Sequence, residues 1–310
     1  MVNIIVTAFI WIAVIINAFL WRTASSHVTF WALLSIAVSL TIKLDPIYLR
    51  IDSLIGSVNY ATLISDLILL AGIFTLANGF TRAISGVTAT PAWVVALGIA
   101  VGLFLVLLFF SLRPLPSTTT FNITYRAQPI ATIYTCLLFS IIATIFSGIA
   151  FICIREIGSL QSPIARVSAT LIIFGCIAAV AMSASTYFMN FGALYGMVGA
   201  AKFGFVLYAI SRPLTVILLA AGMALPLTAT WVKHAREDRA FSISINQLRA
   251  AHQRTGQELP SHGTPRARLY EIVVDVHDGI VRHGETVILA NTPRTALDRA
   301  EKLLDGENSS

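Results

Sequence analysis

Long apolar runs recur along this chain at a spacing that leaves little choice of architecture. Seven of them, at about 3–21, 28–44, 56–80, 92–112, 129–153, 165–188 and 204–232, match or approach the roughly 20 residues with which a helix crosses a bilayer's hydrocarbon core. Lipid offers no hydrogen bonds to open backbone groups, so spanning segments are helices or a closed barrel. The runs are continuous rather than alternating, which selects helices. Charged residues make up 12% of the chain and hydrophobic ones 56%, with a mean hydropathy of +0.80. A soluble domain carries about 25% charged residues. The expected fold is all-α: a polytopic bundle of seven transmembrane helices over 1–232, then a small helical C-terminal domain over 233–310, both in a lipid-bilayer setting.

Charge separates the two parts. Residues 1–232 hold 10 Lys and Arg against 4 Asp and Glu, whereas 233–310 hold 11 of each. A neutral, mixed-charge tail lacks the basic patch that nucleic acid requires. For orientation, the loops on one side and the first turns of the tail carry seven basic residues: Arg22, Arg82, Arg155, Arg166, Lys233, Arg236 and Arg239. The other side carries six, namely Lys43, Arg50, Arg113, Arg126, Lys202 and Arg212, so the positive-inside rule hardly discriminates. Aromatic residues segregate better. Trp21, Trp31, Trp93 and Trp231 fall at one end of their spans, and Tyr48, Tyr60, Tyr125, Tyr134, Tyr187, Tyr195 and Tyr208 in the opposite half. That supports an odd number of spans. No basic residue precedes the first run, and Arg22 follows it. The expected topology is N-terminus outside, tail in the cytoplasm, in the cell membrane.

The tail reads as three amphipathic helices. Phe241, Ile245, Leu248 and His252 form one stripe, and Leu269, Ile272, Val273, Val276 and Ile280 a second. Thr292 as N-cap and Pro293 at the first helical position open a third, which buries Ala296, Leu297, Ala300, Leu303 and Leu304. The run Leu269-Tyr270-Glu271-Ile272 into Asp275-Val276-His277-Asp278-Gly279-Ile280, after seven apolar spans, resembles a family of actinobacterial seven-helix membrane proteins. Its members carry a cytoplasmic domain of unknown function and a transporter label. Gln247-Leu248-Arg249 through Leu259-Pro260 resembles the segment that opens that domain. The resemblance implies a membrane location and carries no catalytic residue across.

Asp66 is the one acid inside a predicted span. Such an acid costs roughly 2.5–3.5 kcal/mol on insertion scales and takes a partner in the bundle interior. Measured from the predicted span ends it lies about 15 Å deep and Arg212 about 13 Å from the same side, which points to an Asp66–Arg212 ion pair; if the seventh helix begins near Pro213 instead, Arg212 is an interfacial anchor and Asp66 takes another partner. A second candidate is the basic and aromatic outer face, where Tyr187, Tyr195, Tyr208 and Lys202 surround a flexible Gly-rich 190–203 segment; such a mouth suits an anionic or amphiphilic ligand. Cys136, Cys153 and Cys176 sit inside apolar runs as packing residues. His277 and His283, six apart, do not share a helix face well enough to hold a metal. No nucleophile–base set, metal site or cofactor motif falls inside the spans, so no enzyme and no cofactor is expected. The functional expectation is a sensor or scaffold that couples an outer-face site to a tail docking a cytoplasmic protein. The alternative is a small-solute transporter built on Asp66. A second copy of the chain is the remaining partner class.

Overall fold

The computed structural model describes residues 2–20, 27–85, 92–112, 116–126, 128–257, 263–290 and 292–305. All regular structure among them is helical. In chain order the helices are α1 (Val2–Leu20), α2 (His27–Ile42), α3 (Asp45–Leu54), α4 (Tyr60–Ser85), α5 (Ala92–Phe110), α6 (Phe121–Thr124), α7 (Pro129–Glu156), α8 (Pro163–Leu194), α9 (Val198–Gln253), α10 (Pro265–His283), α11 (Glu285–Ile288) and α12 (Arg294–Asp305). The chain divides into two compact units, Met1–Thr228 and Ala229–Ser310.

Four helical stretches among the described residues are long and apolar enough to cross a bilayer: Tyr60–Arg82, Pro129–Glu156, Pro163–Leu194 and Val198–Pro226. A fifth span arises if α2 and α3, bent at 83°, count as one broken span. The described apolar parts of α1 and α5 are shorter, Asn3–Phe19 and Val94–Phe110. Four to five such helices make this a multi-pass membrane protein, a coarser statement than the seven spans expected. Large apolar side chains left exposed along α1, α5 and α8, such as Ile12, Phe19, Leu103, Leu107 and Phe174, suit lipid rather than water. Trp21, Trp93 and Trp231, like Arg22 and Arg113, lie outside the residues whose side chains are described.

Two expectations in this unit give way. The break expected at 45–55 is the helix α3. Leu44 is extended (φ −75°, ψ 131°), Asp45 occupies the first turn, and Pro46 is at the helix start, where its missing N–H costs nothing. The segment expected to be flexible, 190–203, is mostly helix. Only Tyr195 to Met197 separate α8 from α9, and Gly196 turns the chain at φ 70°. Gly199 has nothing within 4 Å of its Cβ position, but Gly192 and, just past the segment, Gly204 serve close approach. A Cβ on Gly192 would sit 2.7 Å from the Ala201 nitrogen, and one on Gly204 2.7 Å from Met189 N and Ser185 O. Gly175 and Gly222 meet Leu219 and Ile172 as tightly, 2.8 and 2.7 Å. Small residues on both helices let the two backbones pack together, the usual means of association within lipid. Gly72 does the same between α4 and α2, 2.9 Å from Ser35 Cβ.

The prolines inside α9 show how the freed carbonyls are handled. Pro226 has no N–H to give Gly222 O, and the Ser168 hydroxyl of α8 donates to that oxygen instead at 2.7 Å. Pro213 likewise frees the carbonyl of Ala209.

The second unit has its own core: Leu248 and Ala251 of α9, Leu269, Ile272, Val273 and Val276 of α10, Ile288, and Ala296, Leu297 and Ala300 of α12. These are the stripes read from the sequence. α10 begins at Thr264, whose hydroxyl accepts from the Ala267 N–H at 3.3 Å, and ends at Gly284, φ 85°. The N-cap expected at Thr292 does not form, since its hydroxyl is buried without a partner. α12 is instead pinned at its start by Arg294, which reaches Glu285 at 2.8 Å and Asp298 at 3.4 Å. His252, fully buried, bonds Asp275 at 2.9 Å, and the Gln257 carboxamide lies on the same carboxylate.

Candidate functional site

Asp66 is 1% exposed in α4 and carries two partners. Lys43, just past the end of α2, brings Nζ to Oδ1 at 2.5 Å, and the Tyr134 hydroxyl of α7 donates to Oδ2 at 3.0 Å. One carboxylate therefore ties together α2, α4 and α7. The expected Asp66–Arg212 pair is absent, and the helix starts explain why. α4 begins at Tyr60 rather than Gly56, so Asp66 is six residues in, about 9 Å of axial rise. α9 begins at Val198 rather than 204, so Arg212 is fourteen residues in, about 21 Å. The two errors have opposite signs and part the residues. Lys43 was read as a loop residue. Its long stem lets the amine reach inward to the buried carboxylate, the reverse of snorkelling, in which the charged head stays in water.

Beside this pair, Asp52 of α3 is fully buried and works as a cap for α4. Oδ2 accepts from the Asn59 N–H at 2.9 Å and Oδ1 from the Ala61 N–H at 3.0 Å. The Ser117 hydroxyl also donates to it. An acid at a helix N-terminus satisfies free N–H groups and the helix dipole together. Asn59, held at φ 66°, accepts from Thr118 N at 2.8 Å and from Tyr48 OH at 3.0 Å. It donates to Pro116 O at 3.1 Å. Around this knot Tyr60, Phe109, Phe121, Tyr125 and Tyr134 form a continuous set of ring contacts. Several of the tyrosines assigned to one end of the spans thus meet there. The sequence marks Lys43 as a basic residue of the outer side but not as the partner of Asp66, and gives no capping role to Asp52 or Asn59; the Asp45-Pro46 helix-start signal is the available hint.

Next to the knot a cavity of about 490 Å³ opens within the first unit, in the size range of small-ligand sites. Its polar end is bordered by Asn3, Lys43, Asp45, Thr119 and Asn122. Farther in, Ile73 and Leu76 of α4, Phe146 of α7, Met182 of α8, and Leu219 and Met223 of α9 line it. Arg212 borders it as well. Its guanidinium lies 6.0 Å from the Tyr208 ring one turn back, as expected for a helical side chain leaning toward the N-terminus. Among the described residues Arg212 has no carboxylate within ion-pair distance. Ser39, one turn before Lys43, also borders the cavity. It is fully buried, and its hydroxyl has no hydrogen-bond partner. Ala209, with the carbonyl freed by Pro213, lies on the same wall.

The other sequence candidates scatter. Tyr208 borders the cavity and packs edge-on to Phe139. Tyr187 turns its hydroxyl to Ser140 and to the Cys136 carbonyl. Tyr195 is exposed and stacks on Phe191, and Lys202 is exposed on α9. The structure therefore brings together Arg212 and Tyr208, sets Asp66 behind Lys43, and leaves Tyr187, Tyr195 and Lys202 elsewhere. The three cysteines are buried and unpaired. No protein-family model, curated protein or solved structure matches the chain.

Proposed function

We propose that this chain is a receptor-like membrane module in which occupancy of the bundle cavity is passed along α9 to the tail unit, where a cytoplasmic protein docks. In this reading α1, the bent α2–α3 pair, α4, α5, α7, α8 and α9 make seven spans, with the N-terminus outside and the tail inside, as in the actinobacterial family the tail resembles. The observation that carries it is one helix with two duties. α9 borders the cavity with Tyr208, Arg212 and Leu219, and the same helix supplies Leu248 and Ala251 to the core of the second unit. A helix that contributes residues both to a ligand site and to a docking domain offers a physical route for coupling them.

The test is hydrogen exchange on the full chain in lipid nanodiscs, comparing wild type with Ala209→Phe, which fills the cavity wall. Coupling predicts altered protection in α9 beyond 241 and in α10. Unchanged exchange there sinks the reading. A second reading, solute transport, rests on Lys43, which borders the cavity while holding Asp66. Saturable flux of a labelled solute in proteoliposomes, lost in Asp66→Asn, would favour it.

A further inference from the structure

We propose that the cavity binds a single-headed anionic amphiphile, with its carboxylate or phosphate on the Arg212 guanidinium and its hydrocarbon part along the apolar floor. The inference rests on the cavity reading above and adds the class of ligand.

Three observations converge on it. The first is charge. A guanidinium stays protonated at any physiological pH, and one placed within a membrane helix is costly unless an anion meets it. Lys43 already holds Asp66 at 2.5 Å, whereas among the described residues Arg212 meets the Tyr208 ring, at 6.0 Å, and no carboxylate. A cation–π contact of that kind contributes about 0.5–1 kcal/mol at an exposed site and does not neutralise the charge. Asp45 borders the same cavity but makes no ion pair with Arg212. The guanidinium fork is matched to carboxylate and phosphate oxygens in pairs.

The second is an unused hydroxyl. A serine inside a helix can bond the carbonyl four residues back, as Ser35, Ser183 and Ser211 do here. Ser39 is fully buried, borders the cavity and has no partner. A buried polar group left this way is destabilising by about 1–3 kcal/mol, which a ligand oxygen at this wall would relieve.

The third is the floor. From Arg212 to Met223, about 16 Å of α9 axis, the bordering residues are Pro213, Thr215, Val216, Leu219 and Met223, with Leu76, Ile142 and Phe146 from other helices; the one hydroxyl among them, on Thr215, is taken up by the Ser211 carbonyl at 2.8 Å. Only hydrocarbon gains from displacing solvent there, at about 25 cal/mol per Å². A small hydrophilic anion would leave this surface uncovered, and a neutral amphiphile would leave Arg212 unmet.

The experiment measures binding to the full chain in nanodiscs of zwitterionic lipid by native mass spectrometry. The probes are dodecanoate, dodecyl phosphate, dodecanol, acetate and inorganic phosphate. One or both anionic amphiphiles are expected to bind at least tenfold tighter than dodecanol and than the free anions, the two anionic probes deciding between carboxylate and phosphate heads. Arg212→Gln is expected to erase the preference for the anionic head over dodecanol while leaving dodecanol binding in place. That ratio is a readout that misfolding does not mimic. Leu219→Trp is expected to shift the preferred chain length downward. Equal binding of acetate or phosphate and their dodecyl counterparts overturns the amphiphile while leaving a cavity ligand in place. Dodecanol binding as well as dodecanoate, or an anionic preference that survives Arg212→Gln, overturns the role of Arg212. Absence of binding by every probe overturns the inference outright. The hydrogen-exchange comparison with Ala209→Phe judges the cavity reading independently of all these outcomes.

Discussion

Replacing Lys43 by Met keeps the aliphatic stem and removes the amine that holds Asp66. The carboxylate is 1% exposed and would retain only the Tyr134 hydroxyl. Removing one partner of a buried ion pair typically costs 3–5 kcal/mol, because the other charge is stranded. Lys43 itself is 25% exposed, so part of the pair's field already reaches solvent and the lower end applies, about 3 kcal/mol. Asp66→Asn is milder. The amide oxygen still accepts from Tyr134 and the released amine reaches water, which leaves about 1–2 kcal/mol. The double variant strands neither charge and should lie within about 1 kcal/mol of wild type. The coupling between the two sites is then at least about 2 kcal/mol, well above the few tenths found for independent sites. The assay is equilibrium unfolding of the full chain in mixed micelles, run as a double-mutant cycle. A second cycle pairs Asp66→Asn with Arg212→Gln and should be additive within about 0.5 kcal/mol. A double variant as unstable as the sum of the singles, or strong coupling to Arg212, would refute the assignment of the partner.

Other outcomes follow from the same geometry. Asp52→Ala strands the N–H groups of Asn59 and Ala61 and the Ser117 hydroxyl, at about 1–3 kcal/mol each; unfolding should show a loss of at least about 3 kcal/mol, and faster amide exchange over 57–62. Gly204→Ala forces a Cβ to within 2.7 Å of Met189 N and should cost about 1–3 kcal/mol as overpacking. Gly148→Ala, with nothing within 4 Å, should be neutral or stabilising by up to about 1 kcal/mol. Ser168→Ala loses the bond to the Gly222 carbonyl, about 0.6 kcal/mol for an average interhelical bond in lipid. In a Pro226→Ala background the new N–H at 226 takes that carbonyl, so the same change should cost less.

The tail was the most legible part of the chain. Its stripes at helical spacing, from Leu269 to Val276 and from Ala296 to Ala300, became the buried faces of α10 and α12. Amphipathic patterning carries that information because one face must meet water. Spans lose it. A helix apolar all round does not announce which face is inside, and its ends are set by turn chemistry rather than by hydropathy. At 190–203 glycine reads as flexibility, whereas Gly192, and Gly204 just beyond, stand where the backbones of α8 and α9 leave no room for a Cβ. Nothing in one helix's own sequence states how close its neighbour comes.

The buried acid shows the same limit from the side of chemistry. That Asp66 takes a partner followed from the cost of a charge in lipid. Which partner it takes depends on relative depth, and a four-residue error in one helix start plus a six-residue error in another was enough to propose Arg212. Once Lys43 is recognised as the partner, the charge argument applies again to the residue left over. The rule that required a counter-ion for Asp66 applies equally to Arg212, which borders the same cavity as Asp45 but makes no ion pair with it. A mistaken pairing, corrected by geometry, thus moves the functional question from an acid held by Lys43 to an arginine at the border of a cavity.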